Sequence, residues 1–186
     1  VLILPMLFAV AVESANADEK LEALFDREWE WNMRENPTWA SRLGDLRYNA
    51  HWPDNSRKAI NGRLVHRRDV LERLKTFDAD RLSSADQTNL RLFRKQYALN
   101  VEAHQYGWHH VPLTARDGIQ DAASLAASLK FEKVKDYEDW IARLQAFPAY
   151  MDQTIALMRT GIERKLLQPK IVMKRVPRQI GRQIVD

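Results

Sequence analysis

From residue 18 onward, apolar positions recur every three or four residues, and no alternating apolar stretch bounded by turn residues is long enough to make a sheet. The pattern predicts an all-α protein, an irregular multi-helix array. A first helix over 18–35 places Leu21, Leu24, Phe25 and Trp29 on one stripe that fills the core, and stops at Asn36-Pro37. A short helical turn follows, ended by Gly44, and 44–54 reads as a loop. Ser56 is the N-cap of a second long helix carrying Ile60, Leu64, Leu71, Leu74 and Phe77, with Arg57, Lys58, Arg67, Arg68 and Glu72 mostly outside. Ser84-Ala-Asp-Gln87 has the form of a capping box and opens the clearest helix. There Leu90, Phe93, Tyr97, Val101, His104 and Trp108 draw one stripe, which predicts a central helix. Beyond Gly107 the chain is irregular through Pro112 and Asp117-Gly118, then rich in Ala and Ser over a helix near 119–129. A helical hairpin comes next, with Tyr137, Trp140, Ile141, Leu144 and Phe147 on its first arm. Pro148 punctuates it, and Met151, Ile155, Met158 and Ile162 lie on the second arm. Gln168-Pro169 breaks that arm, and Ile171, Val172, Val176, Ile180 and Ile184 start another apolar-periodic segment over 170–186.

The first residues follow a different rule. Residues 1–12 are an apolar run, followed by Glu13-Ser-Ala15-Asn16-Ala17 and the charged Asp18-Glu-Lys20. A bilayer core needs roughly 20 apolar residues, whereas this run suits the apolar region of a secretory leader with a small-residue cleavage site at Ala15-Asn16-Ala17. Residues 1–17 are therefore expected to be a partial signal peptide, partial because the chain starts with Val and has no basic segment before the run. No Cys follows the small residues to take a lipid, so the mature protein, residues 18–186, is expected to be periplasmic or secreted without a stable membrane anchor.

Composition narrows the chemistry. A chain of 186 residues is as a prior about one domain, able to bury roughly 70% of its unfolded surface. The absence of cysteine removes disulfide scaffolds, Cys-ligated metals, iron–sulfur clusters and any thiol nucleophile. Net charge is +4, and removing Glu13 with the leader raises it to +5, a modest value. From residue 159 onward eight basic residues (Arg159, Arg164, Lys165, Lys170, Lys174, Arg175, Arg178 and Arg182) face two acids, Glu163 and Asp186. They surround the helices and no aromatic interleaves them, so no nucleic-acid partner is expected. Stacking of bases or sugars on Trp29, Trp31 and Trp39 is disfavoured because Trp29 shares the core stripe.

No catalytic constellation is visible. The histidines His51, His66, His104, His109 and His110 form no His-Glu-x-x-His or other i,i+4 pair on one helix face. His104, His109 and His110 straddle a helix end and are read as structural. The acidic run Asp136-Tyr-Glu138-Asp139 sits where a helix dipole favours negative charge. Phosphate-cradling glycine loops and the nucleophile elbow are also missing. No catalytic, cofactor-binding or metal-ligating residue is assigned in this chain.

The order of segments over 21–179 nevertheless resembles the N-terminal part of the bacterial domain-of-unknown-function 885 (DUF885) family. The resemblance rests on Trp29-Glu-Trp-Asn-Met-Arg-Glu-Asn-Pro37 through Leu43-Gly-Asp-Leu-Arg-Tyr48, on Leu92-Phe-Arg-Lys-Gln96, and on Phe131 to Val134. Asp136-Tyr-Glu-Asp-Trp140, Leu144, Phe147-Pro-Ala-Tyr150, Gly161-Ile162 and Pro169 complete it. Lys133 departs from it, standing where a Thr-like N-cap is expected, which weakens that helix start by about 1 kcal/mol. The resemblance implies a larger helical zincin-like fold, often exported, acting as a zinc-dependent oligopeptidase on short peptides. Its His-Glu-x-x-His helix would lie in a C-terminal half that this chain lacks. Zinc is thus expected in the full-length protein, and this chain is expected to be non-catalytic and to form one wall of the substrate cleft. Such a fragment would expose the stripe from Leu90 to Trp108. The competing expectation is a stand-alone periplasmic helical binding or scaffold domain.

Overall fold

Proline and glycine set most of the element boundaries. In a computed structural model, which describes residues 4–114, 116, 118–182 and 184 and their side chains apart from those of 4–16 and 121, the described residues form helices and no strand. The elements are α1 (Leu4–Glu35), α2 (Pro37–Arg42), α3 (Arg57–Lys75), α4 (Ser84–His104), α5 (Ala122–Ser128), α6 (Val134–Gln145), α7 (Phe147–Glu163), α8 (Lys170–Met173) and α9 (Val176–Gly181). The all-α expectation holds. Helix α1 begins at Leu4 rather than near Asp18, because nothing between Pro5, tolerated in a first turn, and Pro37 breaks it. The expected leader lies partly outside the described residues, and Ala15-Asn16-Ala17 falls on this helix backbone. No helix among the described residues is long and apolar enough to cross a membrane. Of the apolar tail, residues 183, 185 and 186 lie outside the described residues.

The chain divides into two compact units. The first comprises Val1–Trp31 and Asn61–Gln105. Its core is Leu21, Leu24, Val70, Leu74, Leu90 and Tyr97, with Phe25, Leu71 and Phe93 packed against them. Ser83, one residue earlier than expected, caps α4 by accepting from the Asp86 N–H at 3.2 Å, while Gln87 donates to the Leu82 carbonyl. Arg94 closes the other end of the core: its guanidinium donates to the Leu74 carbonyl and, at 2.8 Å, to that of Phe77. These oxygens have no partner inside α3. Two stripe expectations are corrected here. Trp29 is 54% exposed, and Glu28 takes the inward position beside Leu21 and Leu24. The α4 stripe ends at His104, and Trp108, beyond the left-handed Gly107, is 69% exposed. Leu90 and Tyr97 are buried, so the stripe expected to be exposed is interior.

The second unit comprises Asn32–Ile60 and Tyr106–Asp186. Leu113, Ile119 and Val176 form its buried apolar cluster, with Phe147, Tyr150, Met151 and Met158 against it. Gly161 lets the chain at His110 lie on α7: a Cβ there would stand 2.6 Å from the His110 carbonyl oxygen. The end of α7 is a Schellman motif. The Leu166 N–H donates to Gly161 O at 2.8 Å and the Lys165 N–H to Ile162 O at 3.0 Å, with Lys165 in the left-handed region at φ 58°. Helix α6 is inverted relative to its expected packing. Arg143 is fully buried and Asp136, Asp139 and Trp140 are half-buried, while Val134, Tyr137, Ile141 and Leu144 face outward, each about half exposed or more. On α7 the inward residues are Thr154, Leu157 and Gly161, and Ile155 and Ile162 are exposed.

Candidate functional site

Two buried polar networks stand out against these apolar interiors, one in each unit. In the first unit, Glu28 is 2% exposed. Its Oε2 accepts from the Tyr97 hydroxyl and lies 2.8 Å from His66 Nε2, and the His66 ring stacks on Trp31 with centroids 4.0 Å apart. The spacing places Glu28 one turn beyond Leu24 on the inward face of α1, so its carboxylate can be buried only because partners from α3 and α4 meet it.

In the second unit the central group is Arg143, brought in by α6 and buried completely. Its Nη2 donates to Ser41 Oγ at 2.9 Å and to the Tyr48 carbonyl at 2.8 Å. Ser41 Oγ also lies 2.6 Å from Asn49 Oδ1 and 2.9 Å from the Pro37 carbonyl, and its single proton goes to one of them. Nε and Nη1 of Arg143 are buried without a hydrogen-bond partner. Burial pushes the guanidinium down to about 10, opposed by the Asp139 charge, so it remains a cation at neutral pH. Asp139 itself receives Lys135 Nζ at 2.8 Å. The carbonyl of Arg143 accepts from Trp52 Nε1 at 2.7 Å, and its guanidinium lies 5.8 Å from the Trp52 ring centroid.

Trp52 links this network to a cavity of about 190 Å³. Its ring stacks nearly parallel on Tyr150, centroids 5.0 Å apart. Burial pushes the Tyr150 hydroxyl above its usual range, partly offset by a hydrogen bond with Asn55. Ile119 and Leu125 supply an apolar wall, and Thr38 and Arg42, one turn apart on α2, also line the space. A second cavity of about 210 Å³ is almost wholly apolar, lined by Leu113, Met158, Ile162, Leu166 and Met173, with His110 at its edge. Arg164 Nη1 lies 3.0 Å from His110 Nε2; because the guanidinium can only donate, that nitrogen accepts and the imidazole is neutral.

The histidines are thereby distributed. His66 belongs to the Glu28 network and His51 is exposed. His104 lies in the first unit, where burial and the charges of Arg68 and Arg67 push its imidazole below the ordinary value. His109 and His110 lie in the second unit, rings 4.1 Å apart. Among the described residues no group of three or more His, Cys, Asp or Glu could hold a metal. The pair Glu28 and His66 turns its polar atoms on each other at hydrogen-bond distance, with Tyr97 on the same oxygen. That pair, as placed, does not form a zinc site. The basic residues after Arg159 are exposed among the described residues.

Glu28, Arg143, Trp52 and Arg42 were not singled out by sequence reasoning. The one available signal was Glu28, which interrupts the inward face of α1 at helical spacing, where a charged residue is ordinarily assigned outward; Arg143 lies off the apolar stripe of α6, where a charged residue raises no signal.

No curated protein matches this sequence. Residues 37–186 match the profile of the family described as bacterial protein of unknown function (DUF885). That match spans both arms of the helical hairpin, the Arg143 network and the cavity beside Trp52, and on it the chain belongs to the DUF885 family.

Proposed function

We propose that this chain is the non-catalytic N-terminal helical portion of an exported, zinc-dependent oligopeptidase-like hydrolase, in which its helices form one wall of the cleft that receives short peptides. The observation that carries the reading is the inverted α6. A soluble helix ordinarily turns its apolar stripe inward, but here Val134, Tyr137, Ile141 and Leu144 lie outward, while the inward side holds a buried arginine with a neutral-oxygen shell. An apolar stripe fixed outward by so specific an interior is a surface made to be covered, and the catalytic groups would belong to the covering part. Family membership over 37–186 supports the assignment, and the signal-like run at the N-terminus supports export.

A second reading, a periplasmic helical binding or scaffold domain without catalysis, is favoured by one observation: the mixed polar and apolar cavity beside Trp52. The two are separated by measuring bound zinc and chelator-sensitive cleavage of a mixed short-peptide library. The measurement is made on this chain and on the product of the intact gene. Zinc and cleavage in the longer product alone support the peptidase reading; their absence from both replaces it with the binding domain.

A further inference from the structure

The cavity beside Trp52 has a size, a wall and a charge that together select a ligand. At about 190 Å³ it exceeds the roughly 150 Å³ apolar cavity that holds one benzene molecule. It therefore admits a single ring or branched side chain with one small polar group, and nothing longer lies wholly inside. Ile119 and Leu125 receive the apolar body on one side, and the stacked Trp52–Tyr150 pair bounds another. Rigid aromatic walls of this kind give contact area at little entropic cost.

Among the described residues of the lining, the one charged side chain is cationic. The Arg42 side chain makes no ion pair among the described residues; it is exposed on α2 and lines the cavity. Behind Trp52 lies Arg143, whose hydrogen bonds go only to the neutral oxygens of Ser41 and Tyr48. The carboxylate that influences it, Asp139, is engaged by Lys135. Arg143 is too deeply buried to touch a ligand, and its charge adds to the positive field on that side of Trp52. Thr38, one turn before Arg42, places a hydroxyl-bearing side chain at the same lining. A guanidinium fork beside one hydroxyl, over a space the size of one side chain, matches a single carboxylate carried on an apolar body.

We propose that this cavity binds a small apolar monocarboxylate, either a free acid or the C-terminal residue of a short peptide, with the carboxylate on Arg42 and the apolar group between Leu125 and the Trp52–Tyr150 pair. Binding of this kind does not depend on peptide hydrolysis or on zinc.

The test titrates the full chain with 3-phenylpropionate and with the tripeptide Ala-Ala-Phe, each beside its C-terminal amide, and follows heat of binding and the Trp52 indole N–H resonance. At least one of the two acids is expected to bind saturably and shift that resonance. Its amide is expected to bind about tenfold more weakly or worse, and Arg42→Gln, at an exposed site without an ion pair, to lose a similar factor while melting as the parent chain does. Binding by the free acid alone identifies a small-molecule site, and binding by the tripeptide alone identifies a peptide-terminus site; either supports the shared chemistry. No binding of either at about 10 mM, amides that bind as well as acids, or an Arg42→Gln chain that binds unchanged would overturn the proposal.

Discussion

At the residue scale, the chain's specificity rests on a few polar groups taken out of water with their partners. Glu28 tolerates burial because the Tyr97 hydroxyl and His66 reach the same carboxylate oxygen. Tyr97→Phe preserves the ring and its packing on Phe93 but removes that donor, so a loss of about 1–3 kcal/mol is expected in urea denaturation. An unchanged midpoint would mean that the carboxylate is satisfied without the phenol. His104 gives a pH signature. Because burial and the Arg68 and Arg67 charges lower its folded value below 6.5, the folded state holds fewer protons than the unfolded chain once the pH falls below that point. Stability is therefore lost as pH drops from about 6.5 through the lowered value. His104→Gln should flatten the dependence of the urea midpoint between neutrality and about pH 5; identical slopes would remove His104 from the account.

At the scale of the element, helix ends and one close approach govern the second unit. Lys165 occupies the left-handed residue of the Schellman motif that closes α7, a position glycine fills without a Cβ penalty. Lys165→Gly is expected to stabilise by about 1 kcal/mol in thermal or urea melts. At Gly161 the opposite holds: the alanine Cβ would meet the His110 carbonyl at 2.6 Å, and Gly161→Ala should cost roughly 1–3 kcal/mol as α7 and the 107–110 segment move apart. These features also show what local pattern can reveal. Asn36-Pro37, Ser56 and Pro148 mark boundaries because proline and capping chemistry act within a few residues, and the helices begin or end beside them. The Ser83 cap was missed by one residue because two serines stand side by side and only backbone geometry distinguishes them. Helical period also located the α6 stripe, but a period defines a face without saying whether it is covered, and α6 turned out to face outward.

At the scale of the whole molecule, each unit combines an apolar core with one buried network whose partners are remote in sequence. Tyr97 stands 69 residues from Glu28, and Ser41 stands 102 from Arg143. That separation is why the all-α class was legible in the sequence while the Arg143 network and the cavity above it were not: no short window contains both halves. The outward α6 stripe has a consequence for solution behaviour. The chain by itself should self-associate through Val134, Tyr137, Ile141 and Leu144, and the double substitution Ile141→Lys with Leu144→Lys should return it to monomer without altering its melt. Sedimentation velocity across a concentration series reads this directly, and a monomeric parent chain at all concentrations would show that the stripe needs no cover.

The central claim, that α6 is a surface covered by another part of the same protein, is tested most directly by hydroxyl-radical footprinting of the product of the intact gene beside this chain. At a concentration low enough for this chain to sediment as a monomer, oxidation of Tyr137, Ile141 and Leu144 is expected to fall severalfold in the longer product, while that of exposed Trp29 in the first unit stays unchanged. Equal oxidation of the α6 residues in both proteins would contradict the claim and leave this chain as a binding domain in its own right.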